Sequence, residues 1–235
     1  VINHKTYFIA FAALGGLLLL LLIGGTYTQG VLNYSPVINT FYLFFFIGGF
    51  IFTSKIFDEL HQKERSYRYL TIPASTLEKL ISKWLISAIG FIIVAYLGIH
   101  LIALLGGLIS SALFEVEFHT LDMTDTRFSL QVARYLVVHS IFFLGACTFR
   151  NHNFIKTLLA IFIVGTVLVI FTSVVGWTFP GRVMSDASMF IPDPFSVYSS
   201  DFLQTMEQIG VIAKWYVMAP FFLVVSYFKL KERQV

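Results

Sequence analysis

An all-α integral membrane protein with six transmembrane helices is the fold expected from this sequence, and three observations lead there. Of its 235 residues, 57% are hydrophobic and only 12% charged, against about 25% charged in an ordinary soluble domain. The mean hydropathy is +0.80, more apolar surface than so small a globule can hide. The apolar residues fall into six runs near the roughly 20 residues a helix needs to cross about 30 Å of hydrocarbon. Finally, Lys and Arg gather on alternate connections between those runs.

The spans are expected at about 7–25, 37–53, 85–108, 132–149, 156–177 and 211–228. Backbone groups in lipid must bond within their own segment, so each is read as a helix even where β-branched residues dominate, as in IFIVGTVLVIFTSVV. The first run is longer than the apolar core of a secretory signal and no small-residue cleavage site follows it, so it is read as a span. The fourth is the weakest because it holds Arg134 and His139. In the sixth, Lys214 lies near one end and Pro220 kinks the interior. Outer segments are expected at 110–131, acidic and mixed, and at 178–210, whose aromatic and methionine content suits the membrane interface.

With both termini on the cytoplasmic side, twelve of the sixteen Lys and Arg face inward. Arg127, Arg134, Arg182 and Lys214 remain outside with eight acids. The opposite orientation would invert the positive-inside bias, so the expected topology is N-in and C-in.

One charged stretch interrupts the apolar chain, a cytoplasmic elbow at 54–84 holding six bases and four acids. Its mixed charge suits a protein cleft better than a purely anionic lipid surface. Ile56, Leu60, Tyr67 and Leu70 fit a 3.6-residue period, so the second span is expected to run on as an amphipathic helix. The residue before Pro73 avoids the α region and ends it. Ser75-Thr76-Leu77-Glu78 reads as a capping box that starts a second helix, which carries Lys79 and Lys83 through the interfacial Trp84 into the third span.

Several chemistries have no motif here. No GxxxxGK[ST] loop occurs, so the chain is not expected to hydrolyse ATP; HExxH, G-x-S-x-G and paired cysteines are absent too. Neither a catalytic residue, a metal site nor a nucleic-acid partner is expected. His100, Arg134 and His139 are the candidates for a polar pathway through the membrane, although snorkelling of Arg134 and helix-to-helix bonds from the histidines explain them as well. Arg134 and His139 lie about 140° apart on an ideal helix and share no face. The pairs Gly15-Gly16, Gly24-Gly25, Gly48-Gly49 and Gly106-Gly107 permit close helix contact. The aromatic run from Tyr42 to Phe52 goes all round its helix and is expected to face mostly lipid or a second subunit.

The phrase YLTIPASTLEKLISKWL, with six spans and an amphipathic segment after the second, resembles permease subunits of the type-2 ABC exporter superfamily. The likeness is to small members, often from Bacteroidetes, whose loop carries LPASxxEK; Leu70, Pro73, Ala74, Ser75, Glu78 and Lys79 match, with Thr71-Ile72 inserted. The resemblance implies a bacterial inner-membrane protein whose elbow is a coupling helix seated in a separate ABC ATP-binding subunit. ATP and Mg would sit on that partner and no cofactor in this chain. A second permease copy or paralogue would complete the transporter. Export of a lipid-like, peptide or drug-like substrate is the implied function. Phe57, Asp58, Glu59, Arg65, Arg68, Pro73, Ser75, Glu78 and Lys79 would carry the coupling. Only six residues precede the first span, where the family often has an interfacial helix. That departure leaves open a non-transporting scaffold of a larger envelope complex that keeps the permease fold. An intramembrane enzyme built on His100 or His139 is the weakest reading, since no nucleophile is spaced to assist.

Overall fold

A computed structural model describes residues 4–61, 74–121, 126–178 and 217–232. Every regular element among them is helical: α1 (His4–Gln29), α2 (Ser35–Lys55), α3 (Asp58–His61), α4 (Thr76–Leu85), a π-helical turn (Ile86–Gly90), α5 (Phe91–Phe114), α6 (Thr126–Thr148), α7 (Asn153–Thr178) and α8 (Met218–Glu232). Five stretches of the described residues are long and apolar enough to cross a membrane: Ala12–Gln29, Ser35–Leu60, Thr76–Phe114, Phe128–Thr148 and Asn153–Val174. They fall on the first five expected spans. Of the sixth, α8 covers the second half, and 211–216 lies outside the described residues, as does all but the first residue of the 178–210 segment.

The helices overrun the apolar windows at most ends. The expected 110–131 segment shrinks, because α5 continues to Phe114 and α6 begins at Thr126. Hydropathy marks only what must sit in hydrocarbon, whereas a helix continues through the headgroups for as long as its backbone bonds permit. α5 ends where Glu115 turns left-handed at φ 55° and returns its N–H to the Ser111 carbonyl. Gly30 closes α1 in the same way, at φ 67° with its N–H on Thr26.

The chain divides into two compact units, Val1–Thr53 with Glu78–His139, and Ser54–Leu77 with Ser140–Val235. In the first, α1 packs on α5. A Cβ at Gly106 would lie 2.6 Å from Leu22 Cδ2, so the absent side chain is what allows this approach. Lipid tails are as apolar as leucine, so close packing rather than the hydrophobic effect holds such a pair. Val37, Phe41, Phe45, Gly49 and Thr53 form a buried stripe on α2 at every fourth residue. Phe41, Phe45 and Tyr135 belong to the core with Leu18, Leu22 and Ile99. The aromatic run of α2 therefore faces inward more than expected. Phe45 is 4% exposed, and Phe46 and Phe50 pack against the core; Phe44 and Phe52 point out. Of the glycine pairs, only Gly49, Gly106 and Gly107 sit against neighbours too closely for a methyl group, while Gly16, Gly24, Gly25 and Gly48 face open space.

At one end of this unit, residues 115–121 fold back. Ser111 Oγ donates to Val116 O at 2.9 Å, Tyr34 Oη donates to His119 O at 2.7 Å, and the Phe118 ring lies over Gly107. Burial pushes the Tyr34 hydroxyl above its ordinary pKa of 10.0.

In the second unit, Phe57 packs edge-on against Phe143, with ring centroids 5.1 Å apart, and Phe142 stacks on Phe154. Asn153 Nδ2 donates to Ser54 O at 3.2 Å, and Thr157 Oγ1 donates to Asn153 O at 2.8 Å. Gly145 leaves the space that Thr157 occupies. From Leu158 to Val174, α7 is exposed almost all round.

Candidate functional site

The elbow begins where α2 ends. A helix running unbroken from 55 was expected, but Ile56 and Phe57 form a turn before the short α3, and Leu60 N–H returns to Phe57 O. The cause is Phe57 itself. Its ring is 1% exposed, seated on Phe143, and the turn is what delivers it there. Phe57 is thus buried at the root of the elbow. Asp58 is half-buried and Glu59 exposed. Residues 62–73, with Arg65, Arg68 and Pro73, lie outside the described residues.

α4 starts at Thr76, which puts Ser75 in the N-cap position that the capping box requires. Glu78 in its first turn and Lys83 in its last suit the helix dipole. Ser75 and Glu78 are exposed, whereas Lys79 is buried at 8% exposure. The outward side of α4 carries Leu77 and Ile81 instead, at 52% and 43% exposure, neither of which the charge pattern singled out. Their i, i+4 spacing was the available signal. From α4 the chain passes the π-helical turn into α5 as one helix of 39 residues, about 58 Å long.

A second constellation lies within the first unit, where α2, the π-helical turn and α6 meet. Tyr135 Oη donates to the Ser87 backbone carbonyl at 3.1 Å. His139 Nε2 lies 3.0 Å from Ser87 Oγ. The Thr53 hydroxyl donates to Gly49 O at 2.7 Å. Thr53, Ser87, Tyr135 and His139 are all 0% exposed. Around them the Tyr135 ring stacks on Phe50 and Phe91, each with centroids 5.7 Å away, and tilts against Phe45 at 4.8 Å. Ser87, Tyr135 and Thr53 were missed in the sequence, since isolated polar residues in apolar runs carry no spacing pattern.

The three pathway candidates are not brought together. His139 sits beside Ser87. His100 lies thirteen residues further along the same helix, about 20 Å away, and bonds its own helix through Nδ1 and Tyr96 O at 2.9 Å. Arg134 is exposed on the opposite side of α6 from His139. Among the described residues, no three of His, Cys, Asp and Glu gather as metal ligands. The Ser87 constellation is a set of interhelical ties, each worth about 0.6 kcal/mol on average between membrane helices. No protein-family model, curated protein or solved structure matches the chain.

Proposed function

We propose that this chain is the membrane-spanning permease subunit of an ABC-type exporter in a bacterial inner membrane, with both termini cytoplasmic. It hydrolyses no ATP itself. Separate ATP-binding subunits dock on the elbow, and a second permease copy or a paralogue completes the transporter. ATP-driven closure of the partner moves the elbow, and the spans shift between inward- and outward-open arrangements. The observation that carries this reading is the form of the elbow. α4 starts cleanly after Ser75 and continues without a break into the third span. A push on Ser75, Glu78, Leu77 or Ile81 would pass into a continuous helix instead of being lost in a loop.

The test is purification of the tagged chain from native membranes in mild detergent. An ATP-binding protein should come with it, and Leu77→Ala should weaken that association. Recovery of the chain with no ATP-binding protein would overturn the proposal.

A second reading, a non-transporting scaffold in an envelope complex, is favoured by one observation: His100, Arg134 and His139 line no common path. In that case Glu78→Ala and Arg68→Ala would alter complex assembly without a separate substrate phenotype. In the exporter, substrate transport would fall while the complex still assembled.

A further inference from the structure

We infer that the π-helical turn at Ile86–Gly90 is a hinge in the long Thr76–Phe114 helix, and that α6 sets its position by holding both polar groups of Ser87. As a account of how the elbow moves the spans, the inference rests on the exporter reading; as a statement about this helix it stands alone.

Three observations carry it. The first is place. The turn separates amphipathic α4 from apolar α5 and begins two residues after Trp84, where the helix enters hydrocarbon by the topology proposed above. The second is bonding. In a regular α-helix the Phe91 N–H would go to the Ser87 carbonyl, but here it goes to Ala88. The Ser87 carbonyl accepts from Tyr135 instead. Sharp bends in helices concentrate where the i to i+4 ladder is interrupted in this way, and π-helical turns are among the recurring sites. The third is Gly90. A Cβ there would meet only Leu85 O, at an ordinary 3.6 Å. Packing therefore does not require glycine at this position, and what glycine adds is backbone freedom.

The ties from α6 come from two successive turns, Tyr135 and His139, and converge on one residue. Tyr135 fixes the carbonyl and His139 the hydroxyl. While both hold, α4 is locked to one direction relative to α5. Releasing them leaves a helix free to bend at its weakest point. Tyr135, His139 and Ser87 are positioning residues in this scheme, and none is expected to touch cargo.

The test is a spin-label distance measurement on the full chain in nanodiscs. Labels go on Ile81→Cys, on the α4 side of the turn, and Leu43→Cys on α2, in a Cys147→Ala background; both labelled positions are exposed. Ile81 lies about 9 Å along the axis from Ser87, so a bend of about 30° moves it by roughly 5 Å. The expected result is one narrow distance in the parent. A broadened or second distance should appear in the Ser87→Ala, Tyr135→Phe double variant, and it should narrow again when Gly90→Ala is added. A double variant whose distribution superimposes on the parent would overturn the hinge, and Gly90→Ala covers the case in which the double variant folds poorly. With a co-purified ATP-binding partner, nucleotide should shift the same distance, and Gly90→Ala should shrink that shift. Movement in the double variant without any recovered partner would leave the hinge standing and remove the exporter reading.

Discussion

Gly48 and Gly49 are neighbours on α2, and alanine should act on them with opposite sign. At Gly49 a methyl carbon would lie 2.5 Å from Tyr135 Cε2, 2.8 Å from Phe91 Cε1 and 2.9 Å from Tyr135 Oη. Carbon atoms in contact prefer about 3.5–4.0 Å, so helix and ring must part by about 1 Å. The ring has nowhere to turn. It stacks on Phe50 with planes 4° apart and on Phe91 with planes 25° apart, and its hydroxyl is held by Ser87. Overpacking of this kind costs about 1–3 kcal/mol, and a broken tie to Ser87 adds about 0.6 kcal/mol. The better helix propensity of alanine returns at most about 1 kcal/mol. Gly49→Ala should therefore destabilise by about 1–3 kcal/mol. At Gly48 nothing lies within 4 Å of the added carbon, so only the propensity gain applies. The assay is unfolding of the purified variants in mixed micelles titrated with a denaturing detergent, followed by tryptophan fluorescence. A Gly49→Ala protein as stable as Gly48→Ala would refute the packing of Tyr135 and Phe91 against α2.

Two further outcomes follow from contacts already described. Asn153→Ala removes the donor to the Ser54 carbonyl and should destabilise by about 1 kcal/mol, with faster proteolysis near the elbow as the local readout. The Tyr34 hydroxyl has its pKa raised by burial, so the folded state holds that proton more tightly than the unfolded chain. Its contribution is complete below the ordinary value of 10.0 and is lost as pH rises through the higher folded value. Thermal stability should fall in that alkaline window, and Tyr34→Phe should make the fall shallower; an unchanged slope would contradict the burial of the Tyr34 hydroxyl.

The sequence was informative wherever lipid and water impose different demands. The five described spans and the start of α4 at Thr76 follow from apolar length and capping chemistry, which act locally. It was uninformative about what faces what inside hydrocarbon. α2 and α7 are both apolar all round, yet Phe41 and Phe45 on α2 are buried while Phe162 and Phe171 on α7 are exposed. Lipid and protein interior are nearly the same solvent for a phenylalanine, so no pattern separates the two cases. Burial is equally unmarked in the elbow: Lys79 is 8% exposed and Phe57 1%, the latter against Phe143, which is distant in sequence. The π-helical turn has no sequence marker beyond a glycine at its end.

α7 has a foot and no flank. Asn153 and Thr157 are buried, while from Leu158 to Val174 nearly every side chain is exposed. Its apolar stretch, Asn153–Val174, counts 22 residues and reaches about 33 Å, some 3 Å more than about 30 Å of hydrocarbon. A helix with that excess accommodates it by tilting, and the cost changes with each ångström of mismatch. With the side chains from Leu158 to Ser173 almost all exposed, the tilt of that stretch would follow the bilayer it meets.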